Sequence, residues 1–190
     1  MGRDKASLPF GPETLLERVI RIVHSVADEV VLAAGVDQVV PAGLPVVRDA
    51  REGLGPLPAL LGACTAIDAG YVFLVACDTP LLQPALVRLL VNRAHGWDAC
   101  VPVVNDVAMT TCAVYRTSAV NTAAGPLLAA GGTSLRALLA GLRTRYLDES
   151  TLKEADPQLL SFVPCNTPEE YRHALALAGL AVNDPLPPTV

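Results

Sequence analysis

Charge is scarce in this chain: 17% of its 190 residues are Asp, Glu, Lys or Arg, the formal net charge is -5, and no basic cluster is present. A nucleic-acid surface is therefore not expected, because phosphate neutralisation supplies most of that affinity, and any phosphate handling has to be local. No apolar run reaches the ~18 residues of a bilayer-crossing helix. The N-terminus, Met1-Gly-Arg-Asp-Lys-Ala6, has no apolar stretch behind its positive charges. Neither a membrane span nor a secretory signal is expected, so the location read from the sequence is cytoplasmic. CxxC pairs are missing too. The five cysteines, Cys64, Cys77, Cys100, Cys112 and Cys165, are odd in number, widely spaced and without a His cluster beside them. That argues against structural zinc and against a disulfide framework, and the apolar surroundings of four of them suit small buried hydrophobes. Charge blocks and low-complexity tracts are also lacking, while 52% of the residues are hydrophobic, which excludes disorder for all but the ends. One domain over residues 1–183 is expected, with 184–190, which holds Pro185, Pro187 and Pro188, as a loose tail.

Along the chain, strands and helices alternate. Leu15, Leu16, Val19, Ile20, Ile22 and Val23 have helical spacing behind Thr14 and Glu17, a capping box, so a helix is predicted over residues 14–27. Short apolar runs at 29–34 and 45–48 read as buried strands, and a helix is expected from Pro56 to Asp68. Tyr71-Val-Phe-Leu-Val-Ala-Cys77 is continuously apolar, as a central parallel strand covered on both faces would be. Helices near 84–93, 118–130, 134–142 and 168–178 and strands near 99–104, 111–115, 146–147 and 161–164 complete the reading. The alternation predicts an α/β fold: a Rossmann-like three-layer α/β/α arrangement with a mostly parallel sheet and ligands at the carboxyl ends of its strands.

Four segments carry polar chemistry. Asp78 in Cys77-Asp-Thr-Pro80 ends the most hydrophobic strand, where one carboxylate, water and substrate phosphate oxygens would suffice for Mg2+; an N-cap for the next helix is the other reading. Lys5 precedes the first helix and is either a surface charge or a cation for nucleotide phosphates. Gly53-Leu-Gly55-Pro-Leu57 is a glycine-rich turn feeding a helix, open to close backbone approach by a ligand. Asn166-Thr-Pro-Glu-Glu-Tyr171 is a helix start, capped by Thr167 or Asn166. His24, His95 and His173 fall outside these segments and read as surface or helix residues.

In order, these segments resemble the molybdenum cofactor guanylyltransferases, a branch of the nucleotidyltransferase superfamily. The latter part of that family's opening motif, LAGGxSxRMGxDKxxLxxxGxxLLER, is matched by Met1-Gly-Arg-Asp-Lys-Ala-Ser-Leu-Pro-Phe-Gly-Pro-Glu-Thr-Leu-Leu-Glu-Arg18. Asp49 with Gly53, Gly55, Pro56 and Leu57 is similar to its Asp-then-GxGPL segment, and Cys77–Pro80 to its CDxP metal motif. Cys112-Ala-Val-Tyr-Arg116 and Asn166–Tyr171 resemble two more. The resemblance implies a GT-A-like nucleotidyltransferase fold and transfer of GMP from GTP to the phosphate of molybdopterin or the molybdenum cofactor, releasing pyrophosphate. It implies Asp78 as the Mg2+ ligand and Lys5 as the neutraliser of the triphosphate, both catalytic. Asp49, Gly53, Gly55 and Leu57 would lie along the nucleoside, with Asn166 on the acceptor side. Other cofactor-assembly proteins or molybdoenzymes would be the protein partners.

The chain begins inside the opening motif, so the first strand and its phosphate-cradling loop are expected to be lacking, with two interior sheet edges unpaired and an apolar slot between them. On the acceptor side, Pro164-Cys-Asn166 stands where the family often has Asn-x-Asn, and Met109-Thr-Thr111 where many members have His-Pro-Leu. A cytidylyltransferase or another nucleotidyltransferase of different acceptor is the alternative enzyme. A nucleotide-binding or adaptor protein impaired in catalysis is the alternative outside enzymes.

Overall fold

The computed structural model describes residues 5–35, 38–48 and 55–180. A 3-10 turn, Lys5–Ser7, leads into a small antiparallel hairpin of β1 (Pro9–Phe10) and β2 (Glu13–Thr14), and then α1 (Leu15–His24). The capping box is present: Thr14 accepts the amide of Glu17, and the Glu17 carboxylate accepts that of Thr14. β3 (Leu32–Ala34) and β4 (Val46–Arg48) pair in parallel. Then follow α2 (Pro56–Ala66), β5 (Tyr71–Val75), α3 (Pro84–Ala94), β6 (Ala99–Val104), β7 (Val107–Ala108) and β8 (Cys112–Arg116). The rest is α4 (Thr117–Ala129), α5 (Leu135–Leu139), β9 (Thr144–Leu147), α6 (Glu149–Leu152), a second 3-10 turn (Leu160–Phe162) and α7 (Pro168–Leu177).

The fold is α/β, but the mostly parallel sheet predicted from the alternation is not what forms. In the five-stranded sheet β8 lies between β5 and β6 and runs antiparallel to both, β7 is antiparallel to β6, and β9 alone pairs in parallel, with β6. The reason is the connection after β6. A parallel return needs a crossover of a dozen or more residues, whereas Val104 and Val107 are joined by a two-residue hairpin, Asn105-Asp106. Both residues take positive φ, 49° and 60°, which is the backbone of a tight β-hairpin turn. The Asn105 amide is held by the Glu149 carboxylate at 3.0 Å. With no helix between β6 and β8, the chain can only turn back on itself.

Two further expectations change. The stretch at 161–164 is not a strand, because the Asp156 carboxylate takes the amides of Leu160 and Ser161 at 3.0 and 2.8 Å and curls the chain into a turn. The apolar run ending at Cys77 is covered on both faces as expected but is neither central nor parallel: among the described residues β5 ends the sheet, runs antiparallel to β8, and of its five residues Val72 alone is fully buried.

Helices cover the sheet on both faces. Alternation along β6 sends Cys100 and Val104 to a core with α1, α3 and α6, and Ala99 and Val101 to a core with α2, α4 and α5. A third core joins the two ends of the described chain: Leu8, Phe10 and Leu15 pack with Leu81, Cys165, Tyr171 and Leu175. Among the described residues β3 pairs with β4 alone and β5 with β8 alone. An apolar cavity of about 660 Å3 lies between β3 and β5, lined by residues such as Val23, Val31, Leu32, Val72 and Leu74, with Ala6 and Cys77 in its wall. No helix among the described residues is long and apolar enough to cross a membrane.

Candidate functional site

The third core determines where the polar residues gather. Phe10 meets Tyr171 edge to face at 6.4 Å, and the Tyr171 hydroxyl donates to the Pro9 carbonyl, so α7 is tied to the hairpin that follows Lys5. The Arg18 guanidinium stacks 4.9 Å over Phe10 and its Nε donates to the Pro80 carbonyl at 2.6 Å. Glu13 pairs with both Arg18 and Arg21. Hydrogen bonding from Arg21 first, then the charge of Arg21 and the hydrogen bond and charge of Arg18, holds the Glu13 carboxyl below the usual range against the opposing effect of burial. Thus α1, the β1–β2 hairpin, the loop after β5 and α7 are fastened at one point.

At that point Lys5 Nζ donates to Asn166 Oδ1 at 2.6 Å, across 161 residues of chain. The backbone of Asn166 is fixed from the other side, since the Glu170 carboxylate accepts the amides of Asn166 and Thr167 at 2.7 and 3.0 Å. Thr167 is the N-cap of α7 and Pro168 its first residue. Asp78 lies in the turn after β5. Thr79 Oγ1 donates to the Ala76 carbonyl at 2.7 Å, closing the turn on itself, so the N-cap alternative for Asp78 is not realised: α3 starts after Gln83, with no side-chain cap. The half-buried Asp78 carboxylate has no hydrogen-bond or ion-pair partner among the described residues.

The thiol of Cys165 reports the electrostatics of the cluster. Burial pushes it up to about 11, the Asp78 and Glu170 carboxylates push the same way, and the Lys5 ammonium opposes them. One negative and one positive candidate therefore act on the same buried sulfur. Cys64 and Cys100 are pushed up to about 11 and Cys112 to about 12, in each case chiefly by burial, so these thiols stay protonated at neutral pH.

Lys5 and Asn166 are thus in contact, with Asp78 within electrostatic reach. Gly55 and Leu57 stand apart at the start of α2. Gly55 has φ of 73°, and a Cβ there would come within 3.2 Å of the Thr133 carbonyl, so glycine is required at that turn. The Leu57 side chain is fully buried in the core with α4 and α5, which leaves its backbone as the part that could face a ligand. Asp49 and Gly53 lie outside the described residues. His24, His95 and His173 are exposed on helices or at a helix end. None of Lys5, Asp78 and Asn166 lines the large apolar cavity, which is therefore separate from this cluster.

A carboxylate after a strand end with no hydrogen-bond or ion-pair partner among the described residues, acting with Lys5 on the same buried thiol, suits a hard cation that arrives on phosphates. No group of three or more His, Cys, Asp and Glu side chains able to hold a metal occurs among the described residues. A cation at Asp78 would take its other ligands from nucleotide phosphates and water, the mode Mg2+ favours. Two residues escaped the sequence reading. Arg18 sits in the matched motif but carries no local sign of a bond to residue 80. Asp156, followed by Pro157, resembles any loop Asp-Pro.

Residues 1–151 match the family described as MobA-like NTP transferase domain. A probable molybdenum cofactor guanylyltransferase of Mycobacterium avium is 38% identical over 146 residues, covering 73% of this chain and 74% of that protein. One of the same description from Pelotomaculum thermopropionicum is 29% identical over 179 residues, 94% of this chain and 87% of that protein. Among solved structures, molybdopterin-guanine dinucleotide biosynthesis protein A of Archaeoglobus fulgidus superposes with a TM-score of 0.77 at 20% identity, covering 94% of this chain and 92% of that one, a likeness of fold.

Proposed function

The chain belongs to the MobA-like NTP transferase family, a family of nucleotidyltransferases, and on that premise we propose that it transfers GMP from GTP to the terminal phosphate of molybdopterin or the molybdenum cofactor, releasing pyrophosphate. The relatives named for guanylyl transfer to this cofactor support the choice of substrates. The observation that carries the reading is the contact of Lys5 with Asn166, which brings the two ends of the described chain together at Cys165, the buried thiol that both Lys5 and Asp78 act on.

The chemistry asks little of acids and bases. The attacking oxygen belongs to a phosphate that is already anionic; its bond to the α-phosphorus of GTP forms as the bond to the bridging oxygen of pyrophosphate breaks. The protein has to align the two phosphates and offset their repulsion. Mg2+, held by Asp78 and the phosphates, would supply charge neutralisation on the nucleotide. Lys5 would neutralise the triphosphate and the departing pyrophosphate with its ammonium. Asn166, oriented by Lys5 and Glu170, offers its amide toward the acceptor phosphate. Asp49, Gly53, Gly55 and the backbone of Leu57 are assigned to the nucleoside.

The test is to incubate the chain with GTP, Mg2+ and molybdopterin and to follow pyrophosphate release and the guanine dinucleotide. Product formation that is lost in Lys5→Ala supports the reading. Equal rates with CTP, or product formation unaffected by Lys5→Ala, contradicts it.

A further inference from the structure

Asp156 is 1% exposed, and it and Ser161 are the buried polar residues of the described chain. A carboxylate is costly to bury unless its oxygens are satisfied. Here one oxygen accepts the Leu160 amide at 3.0 Å and the other the Ser161 amide at 2.8 Å. The turn so formed places Ser161 Oγ 2.9 Å from the amide of Gln83, which it accepts. Gln83 closes the loop that carries Asp78: its own Nε2 donates to the Leu81 carbonyl at 2.7 Å, and the Leu82 amide donates to the Thr79 carbonyl at 3.2 Å. Downstream, the same segment runs directly into Cys165 and Asn166. One buried carboxylate thus fastens the Asp78 loop to the segment that presents Asn166.

We propose that Asp156 is a positioning residue, which through Ser161 and Gln83 sets the Asp78 carboxylate relative to the Lys5–Asn166 pair. The proposal rests on the reading of Asp78 as the cation-binding carboxylate. Asp156 touches neither substrate nor cation. Its effect is on the spacing of groups that do, and it gives the loop one arrangement rather than several.

Ser161→Ala removes the acceptor of the Gln83 amide at small cost in volume, and Asp156→Asn places an amide N–H against a backbone N–H that needs an acceptor. Leu138→Ala, in the core on the opposite face of the sheet, supplies a variant that is destabilised without touching the brace. Exchange of the Gln83 amide should become about tenfold faster in Ser161→Ala and Asp156→Asn, the loss of one buried hydrogen bond. The Mg2+ concentration for half-maximal GTP binding should rise at least about threefold in both, since misplaced ligand partners weaken metal sites on the order of tenfold or more. Leu138→Ala should show neither change. An unaltered Mg2+ requirement in Ser161→Ala, or the same rise in Leu138→Ala, overturns the positioning role. Absence of Mg2+-dependent GTP binding in the unmutated chain overturns the reading of Asp78 itself; the Gln83 exchange rates still report separately whether the brace exists.

Discussion

β5 and β6 have similar apolar sequences and very different surroundings. β6 is bonded to β8 and β7 along one edge and to β9 along the other, and five of its six residues are buried. Among the described residues β5 is bonded to β8 alone, faces the apolar cavity on its other side, and buries one residue fully out of five. A hydrophobic run states a demand for burial, and the neighbouring strands decide whether it is met. The comparison also bears on where the chemistry lies. Both large cores reach the seam, where Val19, Val23 and Val87 of one and Leu60 and Val72 of the other line the cavity, and Lys5 and Asp78 are the chain neighbours of Ala6 and Cys77 in its wall. Binding groups are commonly drawn from the less stable parts of a fold.

The sharpest way to break this division is Asp78→Asn. Mg2+-dependent turnover should fall by more than about a hundredfold, while the melting temperature moves by less than about 2 °C, because no protein partner of the carboxylate is lost. A large fall in melting temperature, read by calorimetry, would place Asp78 in the scaffold instead. Hydrogen exchange sharpens the structural side: amides of β6 and β8 should exchange at least about a hundredfold more slowly than those of β3 and the cavity edge of β5. Equal protection would mean the seam is closed in solution. Core truncations come next. Leu138→Ala, on the closed flank, should cost about 3 kcal/mol, and Leu74→Ala, half-buried at the seam, about 1 kcal/mol, both measured by denaturant unfolding.

A further effect is one of pH. The buried thiols of Cys64, Cys100 and Cys165 at about 11 and of Cys112 at about 12 lie above the value of an unfolded cysteine, near 8.5. Between those values the unfolded chain has released protons that the folded one retains, so their contribution to stability is complete below about pH 8.5 and declines as the pH rises toward 11 and 12. Denaturant midpoints measured from pH 8 to 11 should fall accordingly. Alkylation of the folded chain below pH 8.5 should label Cys77, which is half-buried, ahead of the other four.

Much of the local structure was legible in the sequence. The capping box of Thr14 and Glu17 announces a helix that starts as read and ends three residues sooner, and Pro168 behind the cap Thr167 announces the last helix, where the structure adds a second capping box with Glu170. Strand direction was not legible from alternation, because one two-residue turn at Asn105-Asp106 reverses what a helix would have kept parallel; the short spacing between the runs at 99–104 and 111–115 was the available sign. At the site, Lys5 and Asn166 were nominated by motif, but their contact depends on a core assembled from both ends of the chain, which no local pattern encodes. The brace of Asp156 and Ser161 is equally long-range, reaching Gln83 across 78 residues.

The central claim is that the Lys5, Asp78 and Asn166 cluster takes a guanine nucleotide with a divalent cation. Calorimetric titration of the 190-residue chain with GTP and then CTP, each with and without Mg2+, tests it most directly. The account predicts binding of GTP that requires Mg2+ and no comparable binding of CTP. Binding of neither nucleotide, or equal binding of both, would contradict it.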